Sequence, residues 1–543
     1  MLLSLKFTGN AIKIKMYKRI QKWLPDISGG DIKVALVIWV CAVVILFVYF
    51  GPTDNWSWDP SYYYAQLRSP VIDHDLDFRG ETETAGIEPA VSYRGLLPSP
   101  WPIGPSILWS PFFLIAHAIT SIFNLPQENG YSSIYIAFVS IGSVFFAALG
   151  LIVIYRICRF FTDRFLSLVT AIMCLTATPL LFYTFRQPIM AHTTGIFAAS
   201  MVVLLFIFLD LGKLSISKSG FLFGVFCGLT FLTRWVGLLM LVFPVAYYLN
   251  GLINTYKVKT KPEFIQNLKQ IAIFAGVFLL TISPQLALWY RIHGQILIVP
   301  QQGTSFVNNL LPINLLNVLF STNRGLLLWS PFVFISLLGI FLIPYKRIKI
   351  TALVYLGLLI LLLGYRTDWF GGGGFGSRYF VESLPVLVIG FVSIANPLAK
   401  SVWGKFGIAL FAIAMTTHQL MLVHTVEFGV EPGWVNLTRY VEGKPIGFRF
   451  QLNSLFRLIT NPNWWIASRP YLAEDRQTLL VNLFSPEIKL LAGSIQVLAL
   501  VLSPILAVII FLLRKSISRS NLHIISTILI SYLILWSLYI IFL

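Results

Sequence analysis

The sequence predicts an all-α, polytopic membrane protein with about 13 transmembrane helices, and three observations predict it. Hydrophobic residues make up 57% of the 543 and charged residues only 11%, with a mean hydropathy of +0.78, a composition that no soluble globular domain has. Apolar stretches of about 20 residues, enough for the ~30 Å hydrocarbon core, recur along the chain. The basic residues gather in alternate connections between those stretches, as a positive-inside topology requires.

Taken in order, residues 1–32 carry six basic residues and no apolar run followed by a small-residue cleavage site, so they are read as a cytoplasmic, partly amphipathic lead-in. Spans are expected at 33–51, 132–155, 165–184, 191–211, 219–235, 236–253, 268–290, 325–344, 350–365, 380–397 and 405–425, with a terminal pair at 490–513 and 521–543. The spans 219–235 and 236–253 meet at a tight turn containing Arg234. A further apolar piece, 103–124, is read as a helix lying at the outer interface. Counted as a crossing, it would put Arg156, Arg159 and Arg164 outside and invert every later loop. With it at the interface, the inner loops hold 24 basic residues against five acids, and the other face holds 16 against 17. The formal charge of +18 and pI near 9.7 therefore belong to membrane topology and do not call for nucleic acid.

The long polar segments then fall on the outer side: 52–131, 185–190, 291–324, 366–379 and 426–489. The region 33–425 forms one membrane module, and 426–489, with Trp434, Trp464 and Trp465, a cap on its outer face. The four cysteines lie within or at the ends of apolar segments, which argues against disulfides and thiolate zinc sites. There is no repeat of fixed period and no inverted duplication of hydropathy, which counts against a secondary transporter.

Chemistry concentrates in the first outer loop, where Trp58-Asp59-Pro60-Ser61-Tyr62-Tyr63-Tyr64 is followed by Asp73-His74-Asp75-Leu76-Asp77-Phe78. An acid at the interface beside an apolar slot can take a proton from a hydroxyl, and Tyr62 and Tyr63 can stack on a sugar. Asp59-Pro60 is equally a good helix start. Asp73, Asp75 and Asp77 fail as a calcium loop, because Phe78 and Thr84 stand where Gly and Glu are needed. A plain divalent-metal site there is left open but nothing requires one. His192, at the top of a span, can orient a hydroxyl or phosphate, or simply sit at headgroup level. Arg378 closes Trp369-Phe370-Gly371-Gly372-Gly373-Gly374-Phe375-Gly376-Ser377, a glycine-rich turn before a helix that suits a phosphate but lacks the lysine of a nucleotide loop. Arg234, Arg291 and Arg324 also lie at or near outer span ends.

The order of these segments resembles the GT-C class of integral-membrane glycosyltransferases that use polyprenyl-phosphate sugar donors, such as protein O-mannosyltransferases and the aminoarabinose transferases of lipid A. The landmarks are Asp59-Pro60-Ser61-Tyr62-Tyr63-Tyr64, Trp101-Pro102-Ile103-Gly104 with Trp109-Ser110-Pro111, Gln187-Pro188 through His192, Thr233-Arg234, Ser283-Pro284-Gln285 with Gly294, Gly325 through Pro331, and Gly373 through Arg378. They span roughly residues 33–396. The resemblance implies a GT-C-like bundle with interfacial helices in the first outer loop, and makes Asp59 the base for the acceptor nucleophile. It departs from relatives with a paired Asp-Glu, since Pro60 replaces the second acid, and Gln187 stands where close relatives would have a carboxylate. A partner for Asp59 would then come from elsewhere, with Asp73 or Asp75 in view.

The reading is an inverting transfer of a monosaccharide from a polyprenyl-phosphate donor to a glycan, lipid or protein acceptor on the non-cytoplasmic side of a membrane, in cell-envelope glycan biosynthesis at a bacterial inner membrane. Asp59 acts as base, Tyr62, Tyr63, Asp73, Asp75 and His192 bind substrate, and Arg234 and Arg378 hold the lipid phosphate. No cofactor is required. The rivals are a flippase or exporter of lipid-linked saccharides and a ligase-like enzyme with a diphosphate donor.

Overall fold

A computed structural model describes residues 58–84, 94–124, 129–212, 214–298, 311–321 and 323–427, with a two-residue strand pair, Tyr440–Val441 against Lys444–Pro445. The expected spans 33–51, 490–513 and 521–543, and nearly all of the expected cap 426–489, lie outside the described residues.

The outer-loop helices come first: α1 (Trp58–Ile72), α2 (Arg79–Thr84) and α3 (Gly104–Ile122). Next are α4 (Ser133–Arg159), α5 (Arg164–Thr176), α6 (Leu180–Phe185), α7 (His192–Asp210), α8 (Ser219–Thr233), α9 (Val242–Val258) and α10 (Lys261–His293). The remainder are α11 (Leu315–Phe320), α12 (Leu326–Trp329), α13 (Pro331–Gly339), α14 (Lys346–Tyr365), α15 (Leu384–Leu398) and α16 (Val402–Glu427). Among the described residues, eight helical stretches are long and apolar enough to cross a membrane, so the chain is an integral, multi-pass membrane protein.

Several expected spans are broken, each for a local reason. The stretch 165–184 divides into α5 and α6 at Thr178-Pro179, because a proline cannot donate to the preceding turn and clashes with it. Ser330-Pro331 separates α12 from α13 within 325–344 in the same way. Arg234 is extended (φ −156°, ψ 142°) between α8 and the 3-10 turn Trp235–Leu241, so the tight turn read in the sequence is a change of backbone conformation at that arginine. The helix α10 is longer than expected and ends where Gly294 takes a left-handed conformation (φ 77°). In α3, Trp109, Phe113 and Ala116 are buried while Ile107, Leu114 and Ile115 stay exposed; by length and composition it is also one of the eight.

Small residues let the helices approach. Gly220, Gly224 and Gly228 form a stripe on α8, where added Cβ atoms would lie 2.4, 2.7 and 2.6 Å from Gln270, Val277 and Thr281 of α10. Gly339 and Gly390 bring α13 and α15 together in the same manner, at 2.2 and 2.1 Å.

Two ends of the bundle differ in character. At one, Asp163 caps α5 through Leu166 N (2.9 Å) and pairs with Lys405 (3.3 Å), Thr162 bonds Asn396 (2.7 Å), and Arg347 pairs with Asp210. These residues stand beside the short basic connections read as cytoplasmic. At the other end lie the starts of α1, α7 and α15 and the ends of α8 and α14, and there Asp59, His192, Arg234, Arg366, Asp368, Arg378 and Glu382 gather.

Candidate active site

The glycine-rich turn is the scaffold of this end. Gly371, Gly372 and Gly376 have φ of 87°, 60° and 61°, values that other residues adopt only under strain. Tyr183 clamps the turn from α6: its hydroxyl accepts from Phe375 N (2.7 Å) and donates to Phe375 O (3.1 Å). Phe375 also stacks on Phe182 (4.6 Å) and meets Trp329 edge-on (5.8 Å). Arg324 donates to Gly372 O, and Ser377 Oγ donates to Arg324 O (2.6 Å). The N–H groups of Gly371, Gly374, Phe375 and Arg378 all bond within the protein. A phosphate here would therefore be met by side-chain cations more than by those four amides.

The turn delivers Arg378 to Asp59. Arg378 Nη1 donates to Asp59 Oδ2 at 2.7 Å, joining residues 319 positions apart, with the side chains only 10% and 17% exposed. Arg378 Nε is buried and has no hydrogen-bond partner among the described residues. A Cβ on Gly374 would stand 2.7 Å from Arg378 Cδ and Nε, so the guanidinium stem lies directly against the turn.

Beside this pair is a second ionic group. Arg234 Nη1 lies 3.0 Å from both carboxylate oxygens of Glu382 and 3.0 Å from His192 Nδ1, and His192 Nδ1 is 3.0 Å from Glu382 Oε1. Tyr379 stands between the groups, its ring centre 5.4 Å from the guanidinium carbons of Arg234 and Arg366 and 5.8 Å from that of Arg378. Its hydroxyl donates to Asp368 Oδ2 (3.2 Å), and Asp368 pairs with Arg366 (2.7 Å). A narrow cleft lies against Arg234, Glu382 and Tyr379 and is walled by Thr230, Thr233 and Tyr355. The arrangement offers a carboxylate at the rim, guanidinium donors for an anion, and hydroxyls within a small cavity.

The structure places Asp59, His192, Arg234 and Arg378 at this one end. Tyr63 joins them, packed between Trp101 (6.2 Å, stacked) and Trp109 (6.4 Å, edge-on); burial pushes its phenol up, while Arg234, Asp59 and Arg378 are near enough to act on it electrostatically. Tyr62 is buried and meets Trp58 edge-on at 5.5 Å. Asp73 and Asp75 instead serve the loop. Asp73 pairs with Arg68, which also holds Glu81 (2.8 Å) and Asn129 O (2.6 Å), and Asp75 accepts from Ser69 Oγ (2.5 Å) and Asp77 N (3.1 Å). Burial raises the Glu81 carboxyl above its ordinary value despite Arg68. The partner of Asp59 is thus a cation and not a second acid. Among the described residues, no three His, Cys, Asp or Glu side chains are placed to hold a metal ion.

Glu382, Asp368, Tyr183, Tyr379 and Arg366 were not singled out from the sequence. Glu382 carried a signal, being an acid inside the apolar stretch 380–397, where an ionisable residue marks a function by default.

No family model and no curated protein matches the chain. It is similar to two crystal structures of ArnT from Cupriavidus metallidurans. The one bound to undecaprenyl phosphate gives a TM-score of 0.46 at 14% identity, covering 90% of this chain and 77% of that one. The apo state gives a TM-score of 0.45 at 13% identity over the same shares.

Proposed function

We propose that this protein is a GT-C-type glycosyltransferase that moves a monosaccharide from a polyprenyl-phosphate donor to an acceptor on the non-cytoplasmic side of the membrane, with inversion at the anomeric carbon. The observation that carries the reading is the Asp59–Arg378 pair, a carboxylate and a guanidinium joined at the rim of the bundle, with Arg234 beside Tyr379. Arg378 binds Asp59 through one nitrogen, Nη1. The several N–H donors of one guanidinium allow it to hold the base and the departing phosphate together.

In the proposed reaction the acceptor hydroxyl attacks the anomeric carbon, its proton passes to Asp59, and the sugar–oxygen bond to phosphate breaks. The charge that leaves Asp59 develops on phosphate, next to Arg378 and Arg234, where fixed cations contribute most to rate. The basic connections at the opposite end of the bundle support an extracytoplasmic site. The lipid tail would lie along the apolar helices, and the pocket by Thr233 and Tyr355 is suited to hydroxyl groups.

Purified protein supplied with radiolabelled polyprenyl-phosphate hexoses and extracted envelope glycans and lipids tests this. Asp59→Asn is expected to abolish transfer while the protein elutes and unfolds as wild type. Transfer at the wild-type rate by that variant removes Asp59 from the mechanism.

A further inference from the structure

Of the three arginines around Tyr379, Arg378 and Arg234 are held by carboxylates that arrive in different ways. Asp59 reaches Arg378 from the first outer loop. Glu382 lies four positions beyond Arg378 on the same segment, is 8% exposed, and takes Arg234 with both oxygens. His192 closes this group from α7, its Nδ1 facing both Glu382 Oε1 and Arg234 Nη1 at 3.0 Å. A single ring nitrogen cannot accept from the arginine and donate to the carboxylate at once. In either tautomer the contact between Glu382 and Arg234 remains, so the carboxylate is the member that fixes the guanidinium.

The surroundings are shaped to that carboxylate. Gly195, in the first turns of α7, sits where a Cβ would be 3.0 Å from Glu382 Cγ and 3.1 Å from Oε1. Glu382, Arg234, Tyr379 and Gly195 all line the same pocket. Any anion that uses Arg234 from that pocket meets a guanidinium already oriented, and already shared with a negative charge.

We propose that Glu382 is a positioning residue, which aims Arg234 into the pocket and at the same time competes with the incoming anion for it. The proposal rests on the reading of this end of the bundle as a lipid-phosphate seat. It predicts a split that a plain structural ion pair does not produce. Glu382→Gln keeps the shape and removes the competing charge, so anion binding should tighten on the order of tenfold, as expected for deleting one like charge a few ångströms away in a partly buried site. Turnover should fall by about tenfold or more, since the arginine is no longer aimed. Gly195→Ala keeps every charge in the pocket and shifts the carboxylate by only a few tenths of an ångström, so turnover should fall without the tenfold gain in binding. Alanine in place of a helical glycine also favours folding.

The test uses the full-length protein in nanodiscs, with farnesyl phosphate as the binding probe; the turnover readout is release of polyprenyl phosphate from pooled polyprenyl-phosphate sugars, with extracted envelope glycans and lipids supplied as acceptors. Tighter farnesyl phosphate binding with slower release in Glu382→Gln, and slower release alone in Gly195→Ala, support the proposal. Weaker binding in Glu382→Gln, or wild-type release in either variant, overturns it. Should Glu382→Gln fail to fold, Gly195→Ala decides by the same release measurement. Wild-type protein that does not bind farnesyl phosphate sinks the lipid-phosphate reading itself, and the proposal with it.

Discussion

Tyr183→Phe removes one oxygen atom and isolates the clamp on the glycine-rich turn. The ring stays, so its packing against Phe182 at 5.3 Å and over His192 at 4.1 Å is kept. What disappears is the hydroxyl that accepts from Phe375 N at 2.7 Å and donates to Phe375 O at 3.1 Å. Each net hydrogen bond is worth about 1 kcal/mol, and a buried group left without a partner costs roughly 1–3 kcal/mol, so the ordered turn should lose about 2–4 kcal/mol. At 1.4 kcal/mol per tenfold, that shifts the balance between ordered and released turn by roughly 30- to 1,000-fold. Arg378 is seated by this turn, so its hold on an anion should weaken in step with whatever fraction of turns is released. Titration of farnesyl phosphate against wild type and Tyr183→Phe, together with thermal unfolding, reads both effects. Unchanged unfolding and unchanged affinity would refute the idea that the clamp orders the turn.

Gly224→Val should prevent α8 from seating on α10, because its first added carbon already lies 2.7 Å from Val277; overpacking of about 1–3 kcal/mol or more is expected, read as a lower unfolding temperature in detergent. Arg68→Met should destabilise the outer loop by about 3–5 kcal/mol, since Glu81 would be left buried without its cation; limited proteolysis near residues 73–84 would report it, and an unchanged cleavage pattern would count against the loop's dependence on that pair. Asp73→Asn, by contrast, leaves the Glu81 contact in place, so transfer activity should remain within about twofold of wild type. Single cysteines at Asp75 and Lys405 should label from opposite sides of a sealed membrane, with Lys405→Cys protected from an impermeant reagent added outside; labelling from one side would contradict the two-ended charge arrangement.

The helical, multi-pass class was legible because it depends on composition and on stretches of fixed length, properties that survive without any contact being known. The breaks within the spans were partly legible. Pro179 and Pro331 are visible as prolines, but an apolar stretch on either side of each looks continuous to a hydropathy window, and only the missing backbone donor ends the helix. A break at Arg234 was readable as a tight turn, since a charged residue between two apolar stretches has to find either water or a partner, but its extended backbone was not. The glycine stripe 220–224–228 was present in the sequence too, yet its partner helix begins 33 residues after its last member, and spacing on one helix does not say which neighbour fills the groove.

The site was legible residue by residue but not as pairs. Asp59, His192, Arg234 and Arg378 stand out because polar groups at the ends of apolar spans are costly and few. Which acid meets which base is set by tertiary packing. Nearness in the chain points Asp59 toward Asp73 and Asp75, whereas the cation that holds it is 319 positions away and those acids are engaged by Arg68 and Ser69. Glu382 is a single charge in an apolar stretch, and no motif around it points to a partner. The structure pairs it with the arginine that ends α8. A carboxylate held among apolar helices persists only where opposite charge and hydrogen bonds offset its desolvation. Its presence in the span therefore calls for a cation against it, which Arg234 supplies, and the three arginines around Tyr379 are each answered by one acid for the same physical reason.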